Sequence, residues 1–169
     1  MGRRGRSNLT EERFYFVTTT VVRFTQIFTN HQYCEILISN IRYYKEKYKF
    51  TILGYLIMPS HFHWILIVNP KYGTLSDIMR DFKKFTAWQI FDALEEHENN
   101  TLLKIFKDSA AGMNDQTKKL WMKRFDDEVI RNQQMFLAKL NYIHNNPLKA
   151  GLVNKVEDYK YSSARNYIE

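Results

Sequence analysis

The chain has 169 residues, 44% of them hydrophobic, and its 25 Lys and Arg against 18 Asp and Glu give a formal net charge of +7. At about 150 residues per domain this is the length of one compact unit with a real core, and no apolar run approaches the roughly 20 residues that a membrane-spanning helix needs. A single cysteine, Cys34, excludes an internal disulfide framework and a cysteine-built zinc site.

The first twelve residues form a basic arm carrying Arg3, Arg4 and Arg6. The arginines are followed by Glu11, Glu12 and Arg13 rather than an apolar stretch, so the segment does not read as a secretory leader, and the cytoplasm is the expected compartment. Residues 13–169 follow without a repeat, a low-complexity tract or a Pro/Gly/Ser linker, and are expected to form one domain. The positive balance points toward a polyanion. Eleven Tyr, twelve Phe and three Trp add to that, since single-stranded bases stack on aromatic faces, although most of these rings are expected in the core.

In chain order, residues 14–22 are β-branched and aromatic and predict a strand. Residues 31–48 place Ile36, Ile38, Ile41 and Tyr44 near helical spacing and predict an amphipathic helix. Two apolar runs, 50–58 and 61–68, flank Pro59-Ser60 and suit a tight hairpin. Thr74 with Asp77 offers a capping box for a helix over 75–96, with Ile78, Phe82, Phe85 and Ile90 as its buried stripe. Residues 99–117 are the least legible and read as an excursion with a short helix. A short strand within 119–131 and a helix over 133–146, N-capped by Asn132, complete the pattern. The order β-α-β-β-α-β with a terminal helix fits an α+β, ferredoxin-like sandwich: an antiparallel sheet with helices packed on it, here drawn against one face, and a C-terminal segment.

Two constellations carry chemistry. Side chains two apart in a strand share a face, so His61 and His63 project together while Phe62 and Trp64 turn away. Two parallel imidazoles suit Mn, Fe, Co, Ni or Zn, whereas Mg prefers oxygen; the plainer reading is a pair of half-exposed histidines at a strand start. In Tyr142-Ile-His-Asn-Asn146-Pro147, residues four apart stack on one helical face, so the Tyr142 hydroxyl and the Asn146 amide reach the same point, with Pro147 ending the helix. The plainer reading there is a core tyrosine and a pre-proline cap. His144 lies about 200° around the helix from Tyr142 and falls outside that site.

These residues resemble a known family. Residues 57–66, IMPSHFHWIL, are similar to the histidine-hydrophobic-histidine signature of HUH enzymes, and residues 142–153, YIHNNPLKAGLV, to the tyrosine block of single-tyrosine HUH transposases. The resemblance is closest to the REP-associated tyrosine transposases. Residues 75–86, LSDIMRDFKKFT, are similar to the family's helix with an embedded lysine, and residues 159–165, YKYSSAR, to its C-terminal segment. The likeness runs from about residue 13 to 167 and gives no reading of 99–117.

The resemblance implies a DNA transposase that cleaves single-stranded DNA near a hairpin and rejoins it. Tyr142 would be the nucleophile, forming a 5′-phosphotyrosine and releasing a 3′-hydroxyl, and His61, His63 and Asn146 would be ligands of a divalent metal, Mg or Mn. A phenol, with a pKa of about 10, needs its proton removed and an electrophilic phosphate, and a metal polarises such a phosphate. Lys83 and Lys84 are candidates for neutralising the DNA phosphate, and Arg3, Arg4 and Arg6 for reaching a DNA groove. The expected partner is single-stranded or hairpin DNA, with no membrane, as either a homodimer or a monomer. The competing readings are a catalytically silent DNA-binding regulator with the same fold, and a metal nuclease that uses water.

Overall fold

A computed structural model describes residues 13–168. The expectations for Arg3, Arg4 and Arg6, and for the basic arm as a whole, lie outside the described residues. The elements run β1 (Arg13–Thr20), α1 (His31–Tyr48), β2 (Thr51–Met58), β3 (His61–Val68), α2 (Leu75–Glu96), α3 (Asn100–Asp108), β4 (Asp126–Ile130) and α4 (Gln133–Lys149), with short 3-10 turns between. The strands form one sheet in the order β2-β3-β1-β4, with every neighbouring pair antiparallel. This is the ferredoxin-like arrangement that the element order predicts.

Helices cover both faces of the sheet, not one as the sequence reading drew it. The reason is visible in β3, where Phe62, Trp64 and Leu66 are buried on one side and His63 and Ile65 on the other, so each face needs a lid. Helices α1 and α2 cover the side of Val17, Phe62, Trp64 and Leu66 and build the larger core with α3. Helix α4 covers the side of Phe16, Leu56 and Ile65 through Leu140 and Ile143.

Local chemistry fixes the ends of these elements. The Thr74 hydroxyl accepts from the Asp77 amide while the Asp77 carboxylate accepts from the Thr74 amide, a complete capping box. Asn132 accepts from the Met135 amide at the start of α4. Pro147 does not end α4, which continues to Lys149. The buried proline ring is accommodated near the C-terminal end, where the Ala150 amide still closes onto Asn146 O. The buried face of α1 is Tyr33, Cys34, Leu37, Asn40, Ile41, Tyr44 and Tyr48, with Ile36 and Ile38 at its margins, and on α2 it is Thr86 that points inward while Phe85 is exposed.

After α4 the chain returns along the outer edge of β2. The Ile57 amide donates to Tyr161 O at 2.9 Å, the Tyr159 hydroxyl to Ile57 O at 2.8 Å, and the Tyr55 amide to Ser163 Oγ at 3.0 Å. Part of an otherwise open sheet edge is thereby satisfied. Among the described residues no helix is long and apolar enough to cross a membrane.

Candidate active site

The tight β2–β3 hairpin begins β3 at His61, and strand alternation sends His61 and His63 to the α4 face. Their ring centroids are 4.8 Å apart and nearly perpendicular. Helix α4, seated on the same face, brings Tyr142 edge-on to His63 at 5.5 Å between centroids and to Phe16 at 6.1 Å. Phe16 in turn stacks on His63 at 5.6 Å. A strand start, a central strand and the middle of a helix thus meet in one aromatic cluster.

Each histidine has a hydroxyl beside Nδ1. Thr18 Oγ1 is 2.8 Å from His63 Nδ1, and Ser60 Oγ is 3.2 Å from His61 Nδ1. With Nδ1–H donating to the hydroxyl, Nε2 keeps its lone pair. His63 is only 3% exposed, and its Nε2 is buried without a hydrogen-bond partner among the described residues. Such a group calls for a partner beyond the described residues. Burial lowers both imidazoles, His63 to about 3 with the neighbouring His61 adding to the effect, so both are neutral at pH 7, the form that ligates metals.

Tyr142 is 47% exposed, so its hydroxyl is open to a substrate, unlike that of a core tyrosine. Asn146 follows one turn later, half-buried. Its neighbour Asn145 commits its amide to Asn141 O at 2.9 Å, whereas the Asn146 side chain forms no hydrogen bond among the described residues. Among the described residues there is no cluster of three or more His, Cys, Asp or Glu that could hold a metal. The two imidazoles with an amide oxygen fit a divalent ion that completes its shell with water and substrate oxygen. His144, as its angle predicts, is buried elsewhere, with Nε2 2.9 Å from Ser163 Oγ.

The lysines of α2 stand apart from this cluster. Lys83 Nζ donates to Met122 O at 2.9 Å, and burial together with nearby Lys119 lowers it to about 8. Lys84 is exposed, its ammonium 4.6 Å from the Trp88 ring centroid. Both belong to the helix layer on the other face of the sheet.

A cation beside the aromatic cluster is Lys139, which the sequence reading passed over and which lies over Phe16, the ring that meets Tyr142. Its Nζ lies 4.8 Å from the Phe16 ring centroid and 2.5 Å from Glu128 Oε2. The signal was its place three residues before Tyr142, on the same face of α4. Thr18 was also missed, and only the β1–β3 register, which sets Thr18 opposite His63, reveals it.

Comparison with known proteins agrees with this architecture. Residues 11–146 match the family described as Transposase IS200 like. A Haemophilus influenzae protein assigned as a REP-associated tyrosine transposase is 23% identical over 158 residues, 94% of this chain and 83% of that one. The REP-associated tyrosine transposase of Escherichia coli K12 is 27% identical over 120 residues, 70% of this chain and 57% of that one. A solved REP-associated tyrosine transposase bound to a REP hairpin superposes with a TM-score of 0.69 at 23% identity, covering 98% of this chain and 84% of that one. A Deinococcus radiodurans protein assigned as a transposase gives 0.53 at 16% identity, over 85% and 97%. With most of its length matched by the family model, this chain belongs to the IS200-like transposase family.

Proposed function

We propose that this chain is a single-strand DNA endonuclease and strand transferase that cuts beside a DNA hairpin, with Tyr142 as nucleophile. The observation that carries the reading is the edge-on contact between the half-exposed Tyr142 ring and the buried His63, whose Nε2 has no partner among the described residues. A binding module has no use for that combination. The hairpin is drawn from the family relative, whose solved structure holds a REP hairpin.

The Tyr142 oxygen forms a bond to the scissile phosphorus and the bond to the 3′-oxygen breaks. The phenol proton passes from the Tyr142 oxygen to solvent, and solvent returns a proton to the departing 3′-oxygen. His63 and Phe16 hold the Tyr142 ring against the sheet, so that little conformational freedom is lost on reaching the phosphate. His61, His63 and Asn146 would hold a divalent ion, Mg or Mn, which when bound would supply Lewis-acid polarisation of the phosphate. The phosphodiester energy is kept in the tyrosyl link, and a 3′-hydroxyl that attacks this phosphorus rejoins DNA and releases Tyr142 without ATP.

The test is to incubate the full chain and Mn with a hairpin bearing a single-stranded tail, and to map the covalent adduct. An adduct on Tyr142 supports the reading. Cleavage without an adduct would replace it with water as nucleophile, and hairpin binding without cleavage with a silent regulator.

A further inference from the structure

On the face of the molecule away from Tyr142, α2 and residues 113–123 enclose a groove of about 690 Å³. The wall is not a loose loop. The Trp121 indole donates to Lys83 O at 3.1 Å, the Lys119 amide to Phe106 O at 3.0 Å, and the Val22 amide to Leu120 O at 2.8 Å. This wall includes residues 113–117, the end of the stretch 99–117 that the sequence leaves least legible.

The lining combines cations with an open aromatic face. Lys83, Lys84, Lys118, Lys119 and Lys123 border the groove against one carboxylate, Asp115. Lys118 is ion-paired with Glu95 and Lys83 is held by a backbone carbonyl, but no carboxylate pairs with Lys84, Lys119 or Lys123 among the described residues. Like charges gathered this way favour an anion; Lys83 itself is lowered chiefly by burial, with nearby Lys119 adding to it. Trp88 is 51% exposed at this surface, edge-on to the exposed Phe85, with the Lys84 ammonium over one side of its ring at 4.6 Å from the centroid. The Phe85 ring also meets the buried Tyr44 of α1, at 6.1 Å between centroids, whereas Trp88 is the more open of the two.

We propose that this groove seats an unpaired nucleotide of the DNA, with its base stacked on Trp88 and the flanking phosphates on Lys84, Lys119 and Lys123. The proposal rests on the DNA substrate assigned above. A duplex presents phosphates but keeps its base faces stacked away, so a half-open indole beside unpaired lysines suits a strand whose bases are free. The groove also lies on a path to the active site. The Met122 amide donates to Thr20 O at 2.8 Å, and Thr20 stands opposite His61 in the β1–β3 register. A strand leaving the groove reaches the end of the sheet where the two histidines stand.

The test uses the full chain at about 0.1 M salt with an oligothymidylate of eight nucleotides, following tryptophan fluorescence. Trp64 and Trp121 are buried, so the quenching is expected from Trp88. Trp88→Ala should remove most of the quenching and weaken binding about ten-fold. The core is untouched by that change. Lys84→Ala combined with Lys123→Ala should lower the slope of log affinity against log salt by about 1.4, two phosphates at roughly 0.7 each. Affinity within two-fold of wild type in Trp88→Ala, no binding by wild type, or equal quenching by polyglutamate would each overturn the proposal. An adduct on Tyr142 with unchanged binding in Trp88→Ala removes the groove alone. Loss of Trp88 quenching without any adduct leaves the groove standing and removes the cleavage mechanism.

Discussion

Thr18 Oγ1 lies 2.8 Å from Nδ1 of His63, across directly paired positions of β1 and β3. Thr18 is a positioning residue. Its hydroxyl fixes the ring orientation and can accept from Nδ1–H, the tautomer that leaves Nε2 with a lone pair. Thr18→Val keeps the β-branched shape and removes only that contact, so the fold is expected to persist while Mn affinity drops about 10- to 100-fold. Titration calorimetry of both proteins with Mn reads this directly, and equal affinities would remove His63 from the ligand set.

Tyr142→Phe should eliminate the covalent adduct, a loss of at least ~10³-fold in cleavage, with hairpin affinity within a few-fold of wild type. The ring contacts to His63 and Phe16 involve no hydroxyl and survive the change. Denaturing gels for the adduct and a mobility shift for binding separate the two quantities. Residual adduct in the variant would place the nucleophile elsewhere.

At Gly54, α4 comes close enough to the sheet to leave little room for a side chain. A Cβ there would stand 2.9 Å from Leu140 Cδ1 and 3.2 Å from Ile143 Cδ1, beside the register shift between Ile52 and Gly54. Leu140 and Ile143 flank Tyr142 in sequence, so anything that lifts this part of the helix lifts the nucleophile. Gly54→Val is expected to cost about 1–3 kcal/mol from overpacking and to reduce adduct formation while Mn affinity is retained. An unchanged melting temperature with full adduct yield would show that the close approach is not required.

Much of this was legible because the chain states it locally. The capping box at Thr74 and Asp77, the Asn132 cap, the Pro59-Ser60 hairpin and the strict alternation at His61 and His63 each depend on residues a few positions apart. What was misread depends on distant partners. Phe85 has the spacing of a core residue but faces out beside Trp88, and Pro147 carries a helix-ending signal that the packing of α4 overrides. That helices lie on both faces was present in the unbroken apolar run of β3, which a one-sided sheet would not need. Thr18 and Lys139 came into view only with the β1–β3 register and the seating of α4.

Asp81 ties α1 to α2, accepting from Lys47 Nζ at 2.8 Å, the Tyr48 hydroxyl at 2.6 Å and Arg80 Nε at 2.8 Å. Burial alone would raise its carboxyl, but hydrogen bonds from Lys47, Tyr48 and Arg80 outweigh that and hold it well below the usual carboxylate range. A depressed folded-state pKa contributes stability that is present above the unfolded value, about 3.9, and is lost as pH falls toward the folded one. Lys47 and Arg80 reach into water, so Asp81→Asn is expected to cost only about 1–2 kcal/mol at pH 7. Urea midpoints measured from pH 7 down to 3 should converge for the two proteins in acid. A gap that stays constant would assign the effect to shape, not charge.

The polarity of the covalent link separates this chemistry from other tyrosine-based recombination. If the departing group is the 3′-oxygen, the protein keeps the 5′-phosphate of the downstream fragment, and the upstream fragment leaves with a 3′-hydroxyl able to attack the link later. Hairpin DNA labelled at its 3′ end, incubated with the chain and Mn, should give a labelled adduct, while a 5′-end label should leave on a free fragment. Chelating the ion before mixing should abolish both the 3′-labelled adduct and the free 5′-labelled fragment, since the His61–His63 pair would then have no ion to hold near the phosphate. Adding an unlabelled strand with a free 3′-hydroxyl after adduct formation should discharge the label into a longer DNA. Recovery of the 5′ label on the protein would mean a 3′-phosphotyrosine and a different reaction class, even with Tyr142 as the attacking residue.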